Sequence, residues 1–136
     1  MRTTEIVKVD SKGRVTIPLV VREALNIVEG MNLILIADAD RREIILTPLP
    51  STEAKLYELR IEIKDVPGAL AKVASRLAEL GADIVISQCT SIKRGEFAEC
   101  VIVVDVSKSS KDIEEIKSEL SNLDVVRFIQ ARSLKR

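Results

Sequence analysis

The patterning of this chain breaks once, at Thr47-Pro48-Leu49-Pro50-Ser51-Thr52, and that break limits the possible folds more than any other feature. Proline has no N–H to give to a sheet ladder, so two prolines among small polar residues read as the close of a strand followed by a linker. The stretch in front of the break is about 50 residues, a length at which a lone chain removes too little surface from water to be comfortably stable. It holds no cysteine, and no histidine occurs anywhere, so neither disulfide nor zinc is at hand to brace it. Pairing with a second copy, with strands interlaced so that each chain completes the other's core, is the natural remedy. The organisation expected is a first domain at 1–48, a linker at 49–55 and a second domain at 56–132.

Composition narrows the function. Hydrophobic residues make up 46% of the 136, enough for a folded core. Lys+Arg and Asp+Glu balance at 21 each, so a site for nucleic acid must be a local patch and not the whole surface. Aromatics at 2% leave almost nothing on which single-stranded bases could stack. The absence of histidine removes the commonest general base and metal ligand. With no glycine-rich phosphate loop, metal cluster or nucleophile–base pair, the reading is of a protein that is not an enzyme and needs no cofactor. No apolar run approaches the ~20 residues that span a bilayer, and residues 1–10 lack a signal-peptide core. A cytoplasmic protein without membrane contact is expected.

In the front half, Ile6–Val9 and Arg14–Ile17 read as short strands joined by a turn at Asp10-Ser11-Lys12-Gly13. Pro18 suits the first turn of a helix running to about Leu25 or Asn26. Leu33–Ile36 and Glu43–Leu46 read as two further strands joined through 38–42. Lys8, Lys12, Arg14 and Arg22 gather around the turn and the helix, with Asp10 as the acid of the turn and Glu23 beside Arg22; the expected role of Asp10 is to accept local backbone hydrogen bonds. The combined pattern Asp10-x-x-Gly13-Arg14-Val15-x-Ile17-Pro18-x-x-x-Arg22-x-x-Leu25 resembles the AbrB-like swapped-hairpin DNA-binding family, which includes MazE-type antitoxins. The resemblance covers about residues 3 to 48. It implies a β-rich swapped-hairpin dimeric barrel with one short helix. It also implies contact with double-stranded DNA through Lys8, Arg14 and Arg22, with Lys12 and Arg2 as helpers. Two-fold symmetry would double the patch. The same charges also read as a solvated surface on an interaction module.

The back half alternates with period two over Leu56–Lys64, placing Tyr57, Leu59, Ile61 and Ile63 on one face. A helix is expected from Gly68 to about Leu80, burying Leu70, Val73, Ala74, Leu77 and Ala78, with Gly81 as its C-terminal stop. Strands follow at Asp83–Ile92 and Phe97–Val106, then a helix over 111–120 and a strand over 125–131. The order β-α-β-β-α-β is that of a two-layer α+β ferredoxin-like sandwich. Asp65-Val66-Pro67-Gly68-Ala69-Leu70, with Gly81-Ala82-Asp83-Ile84 after the helix, resembles the ACT domain, a regulatory fold that commonly binds amino acids. The resemblance spans about residues 56 to 132 and implies a ligand held between protomers by Asp65, Gly68, Ala69, Leu70 and Asp83. The chemistry agrees: free N–H groups of Gly68 and Ala69 at a helix start favour a carboxylate, and Asp65 suits an ammonium. The alternative is equally plain: Asp65 as a helix cap, Pro67 as its guide, and a module serving only to join subunits.

Cys89 and Cys100 would face each other if Arg94-Gly95 made a two-residue turn, giving a cross-strand disulfide; otherwise they are small residues packed beneath helices. The leading expectation is a DNA-binding transcriptional regulator, homodimeric or of higher order, whose C-terminal domain senses a small-molecule effector, an amino acid by resemblance. The alternatives are an antitoxin-like protein or an allosteric subunit, with the C-terminal domain serving oligomerisation or partner binding.

Overall fold

The structure, a computed structural model, describes residues 2–49 and 53–135, so that Pro50, Ser51 and Thr52 of the expected linker lie outside the described residues. The chain divides into two compact units, residues 1–49 and 50–136.

The second unit has the element order β3 (Leu56–Lys64), α2 (Ala69–Glu79), β4 (Asp83–Lys93), β5 (Phe97–Asp105), α3 (Ile113–Ser121) and β6 (Val126–Ser133). Its four strands form an antiparallel sheet in the order β4-β5-β3-β6. Alternation decides which face is dry. Leu59, Ile61 and Ile63 lie opposite Ile102, Cys100 and Ala98, and both helices pack on that side through Val73, Leu77, Ile116 and Leu120. The other face carries polar partners at the same registers: Arg60 pairs with Glu58 at 3.3 Å and Glu99 at 3.4 Å, and Arg132 pairs with Glu58 at 3.2 Å.

The helices start and stop where their end residues dictate. Asp112 caps α3, accepting the Glu115 N–H while Glu115 reaches back to the Asp112 N–H, a reciprocal capping box. Beyond α2, the Gly81 N–H donates to Ala78 O and the Ala82 N–H to Leu77 O, the paired bonds of a Schellman stop, with Gly81 at φ +77°. The buried stripe of α2 is Ala69, Val73 and Leu77: Val73 and Leu77 are buried as expected, whereas Leu70 and Ala78 are exposed and Ala74 is half-buried. Gly68 at φ +84° turns the chain just before the helix.

The β4–β5 turn also differs from the two-residue form. Three residues separate Lys93 from Phe97, which alone would misalign the cysteines by one position. An irregularity between Ser91 and Lys93 restores the alignment, so Cys89 stands opposite Cys100. The two are joined as a disulfide, with Cys100 fully buried in the core.

The first unit holds α1 (Leu19–Ala24) and a hairpin of β1 (Leu33–Asp38) and β2 (Glu43–Pro48), with Leu35 opposite Leu46 and Ile36 opposite Ile45. The helix follows Pro18 and stops in the same manner as α2, with Asn26 at φ +53° in the glycine position. The strands expected at 6–9 and 14–17 are not strands in this single chain. A strand is defined by the ladder it joins, and these segments join none among the described residues. None of residues 2–49 is buried, and Ile6 is 99% exposed, Ile44 69% and Val28 64%.

Candidate functional site

The turn of the first unit is organised by one carboxylate. Asp10 Oδ1 accepts the backbone N–H groups of Lys12 and Arg14, each at 2.9 Å, and Oδ2 accepts the Arg14 Nε–H at 2.8 Å. The backbone closes the same loop, with the Asp10 N–H on Arg14 O at 3.0 Å and the Gly13 N–H on Asp10 O at 3.1 Å. Gly13 sits at φ +76°, where a side chain would be strained. The Arg14 N–H and guanidinium, followed by the Lys12 N–H, hold the Asp10 carboxyl below its usual 3.8. Asp10 is therefore the local acceptor expected of it, and it also holds an arginine, which nothing in the sequence pattern announces.

The expected DNA-contacting residues fall into two groups. Lys8, Lys12 and Arg14 are exposed on or beside the turn. Arg22 is half-buried on α1 and donates through Nη1 to Ile17 O, so it braces the chain before the helix. Arg2 is exposed.

In the second unit, Asp65 is committed within the fold. Its Oδ2 accepts the Gly95 N–H at 2.9 Å and the Ser91 hydroxyl at 2.8 Å, and these bonds hold its carboxyl below the usual 3.8. It ties the loop after β3 to the β4–β5 hairpin. The sequence offers no sign of Ser91 or Gly95 as its partners, since they lie 26 and 30 positions away. The expectation of two free N–H groups at the helix start needs correction: the Ala69 N–H donates to Val66 O at 3.2 Å, and the Ala69 side chain is buried. Gly68 has open space where a Cβ would stand, and Leu70 is exposed beside it. Asp83 does not join this group within one chain. It opens β4 opposite Asp105, which pairs with Leu56 at the start of β3, whereas Asp65 follows the end of β3. The two aspartates sit at opposite ends of the sheet. Asp105 is buried, which raises its pKa, but the Ser107 and Lys55 N–H groups it accepts outweigh that and leave it below 3.8. Among the described residues no group of three or more metal-ligating side chains converges, and no helix is long and apolar enough to cross a membrane.

Comparison with known proteins matches each unit separately. Residues 6–54 match the family model described as antidote-toxin recognition MazE, bacterial antitoxin, and residues 57–121 match the ACT domain. A UPF0735 ACT domain-containing protein of Caldicellulosiruptor saccharolyticus is 30% identical over 81 residues, which are 59% of this chain and 53% of that protein. The chain thus spans about half the length of the curated relative it matches. Among solved structures, one described as an unknown protein from Galdieria sulphuraria is 21% identical at a TM-score of 0.49, covering 61% of this chain and 46% of that one. The C-terminal domain of the MgtC protein from Mycobacterium tuberculosis is 13% identical at 0.47, covering 62% of this chain and 93% of that one.

Proposed function

The chain joins a MazE/AbrB-like module to an ACT domain, and from that premise we propose that it is a non-catalytic, dimeric DNA-binding regulator whose ACT domain receives a small-molecule effector. The observation that carries the DNA reading is the turn at 10–14. A carboxylate and a glycine lock the backbone, and Lys8, Lys12 and Arg14 stand in solvent around it. Arginine donors of this kind reach phosphate oxygens or the guanine edge in the major groove. The observation that supports a dimer is the uncovered apolar surface of the first unit, where Ile6, Val9, Val15, Leu19 and Leu25 are all exposed. A second copy lending its strands at 6–9 and 14–17 would cover that surface and give those segments a ladder.

The test is binding of the full chain to duplex DNA, read by fluorescence anisotropy over a salt series. Affinity is expected to fall steeply with salt, because each neutralised phosphate adds ~0.9 to the slope of log K against log salt. Arg14→Ala is expected to weaken binding and lower that slope. Salt-independent binding, or none to any duplex, would overturn the reading.

For the effector, the expected ligand is an amino acid lying where the Gly68 loop of one chain meets the β4 start of another, since Asp65 and Asp83 are too far apart to share a site within one chain. Typical coupling between two such sites is ~1–3 kcal/mol, a change of several-fold in DNA affinity. A thermal-shift panel of amino acids should raise the melting temperature for one chemical class. A second reading rests on the description of the family matched at 6–54: the first unit recognises a partner protein, and the ACT domain only joins subunits. A stoichiometric toxin-type partner that binds the chain in the absence of DNA affinity would favour it.

A further inference from the structure

The ion pair within the turn has a geometry that bears on how Arg14 works. Asp10 uses Oδ1 for the backbone and Oδ2 for the Arg14 Nε–H alone. No hydrogen bond among the described residues takes up Nη1 or Nη2, and the arginine side chain remains 69% exposed. Among the described residues Asp10 is the one that holds this side chain. That terminal edge is the one that makes paired hydrogen bonds to a phosphate or to guanine O6 and N7. A free surface arginine samples many rotamers and must give them up on binding, whereas this one is already held near its base.

We propose that Asp10 is a positioning residue for DNA: it holds the Arg14 guanidinium by Nε so that the Nη1/Nη2 edge is presented to the duplex. The inference rests on the DNA-binding reading above. It also opposes what simple electrostatics predicts. Asp10 is an acid inside the basic patch, so on charge alone its removal should tighten binding to a polyanion. If it positions Arg14, its removal should loosen binding.

Asp10→Asn separates the two. The amide oxygen still accepts the Lys12 and Arg14 backbone N–H groups, so the turn keeps its form. The amide nitrogen cannot accept from Nε, so the arginine is released. In the full chain with a mixed-sequence DNA duplex, D10N is expected to bind about two- to tenfold more weakly. Its salt slope is expected to drop by up to ~0.9 for each phosphate that Arg14 no longer neutralises. In an Arg14→Ala background the same D10N change is expected to have no weakening effect, because there is nothing left to position. D10N that binds as tightly as the native chain, or more tightly, overturns the proposal. So does weakening of equal size with Arg14→Ala already in place, since Asp10 would then act only on the fold of the turn. If circular dichroism shows D10N unfolded, Arg14→Lys tests the claim from the other side. It keeps the charge, lacks the Nε–H that Asp10 holds, and is expected to bind about two- to tenfold more weakly; native-like binding overturns the proposal. Failure of the native chain to bind any duplex, or an R14A variant that binds normally, counts instead against the DNA-binding reading and takes the proposal with it.

Discussion

Gly81 shows what one residue settles and what it does not. Its place after an amphipathic stretch marks the stop of a helix in the sequence, and it occupies that stop at φ +77°. What the sequence conceals is its neighbour: a Cβ built there would stand 3.3 Å from Ser109 Cα and 3.5 Å from Lys108 O, backbone atoms of the β5–α3 connection. Gly81→Ala is therefore expected to destabilise the chain by about 1–3 kcal/mol, from left-handed strain plus that close approach, as read by a urea unfolding midpoint. Gly68→Ala, at φ +84° with nothing within 4 Å, carries the strain alone and should fall at the lower end. Equal losses at both sites would mean that the approach to Ser109 contributes nothing. Asp10 and Asp65 follow the same division. Each is recognisable in its motif, but the arginine that one holds and the hairpin that the other ties down are set by the tertiary structure.

At the scale of elements, strand alternation and helix periodicity locate β3, β4, β5, α3 and β6 well. Register is another matter. The Cys89–Cys100 pair depends on one irregularity near the end of β4, because side chains alternate with a period of two and a slip of one residue turns a partner to the opposite face. A two-residue turn at Arg94-Gly95, the condition for facing cysteines, is short by one residue, and the irregularity compensates for it. The bond closes a loop of sequence separation 11 and links an edge strand to the core. Reduction by a dithiol is expected to lower the unfolding free energy of the chain by roughly 3 kcal/mol, the chain-entropy value for a loop of this size. Denaturant curves with and without reductant would measure it, and coincident curves would refute it. A reducing cytosol would keep the pair as thiols, which makes the reduced chain the relevant one there. The buried stripe of α2 belongs to this scale as well: Leu70 is the more hydrophobic side chain, yet Ala69 is the one buried, in line with Val73 and Leu77 at four-residue spacing.

At the scale of the molecule the two units differ in kind. Every buried apolar side chain among the described residues lies between Leu56 and Val125, and none lies in the first unit. The second unit has a core of its own, and the first presents its apolar surface to whatever covers it. If that cover is a second copy, the melting transition of the first unit should rise with protein concentration while that of the second stays nearly constant, and sedimentation should report dimers. A concentration-independent monomer in which both units melt together would contradict this. Local chemistry carries a long way here: the prolines at the break, the turn residues at 10–13, the Asp-Val-Pro-Gly motif and the periods of the strands and helices are all set by conformational preference and apolar spacing, which act between near neighbours. The rest is fixed by contacts between residues far apart in the chain, where packing and strand pairing choose among arrangements that local preference leaves equal. Those contacts put Asp65 and Asp83 at opposite ends of one sheet and bring Cys89 to Cys100, and no such pairing forms strands at 6–9 and 14–17, where local preference alone suggests them.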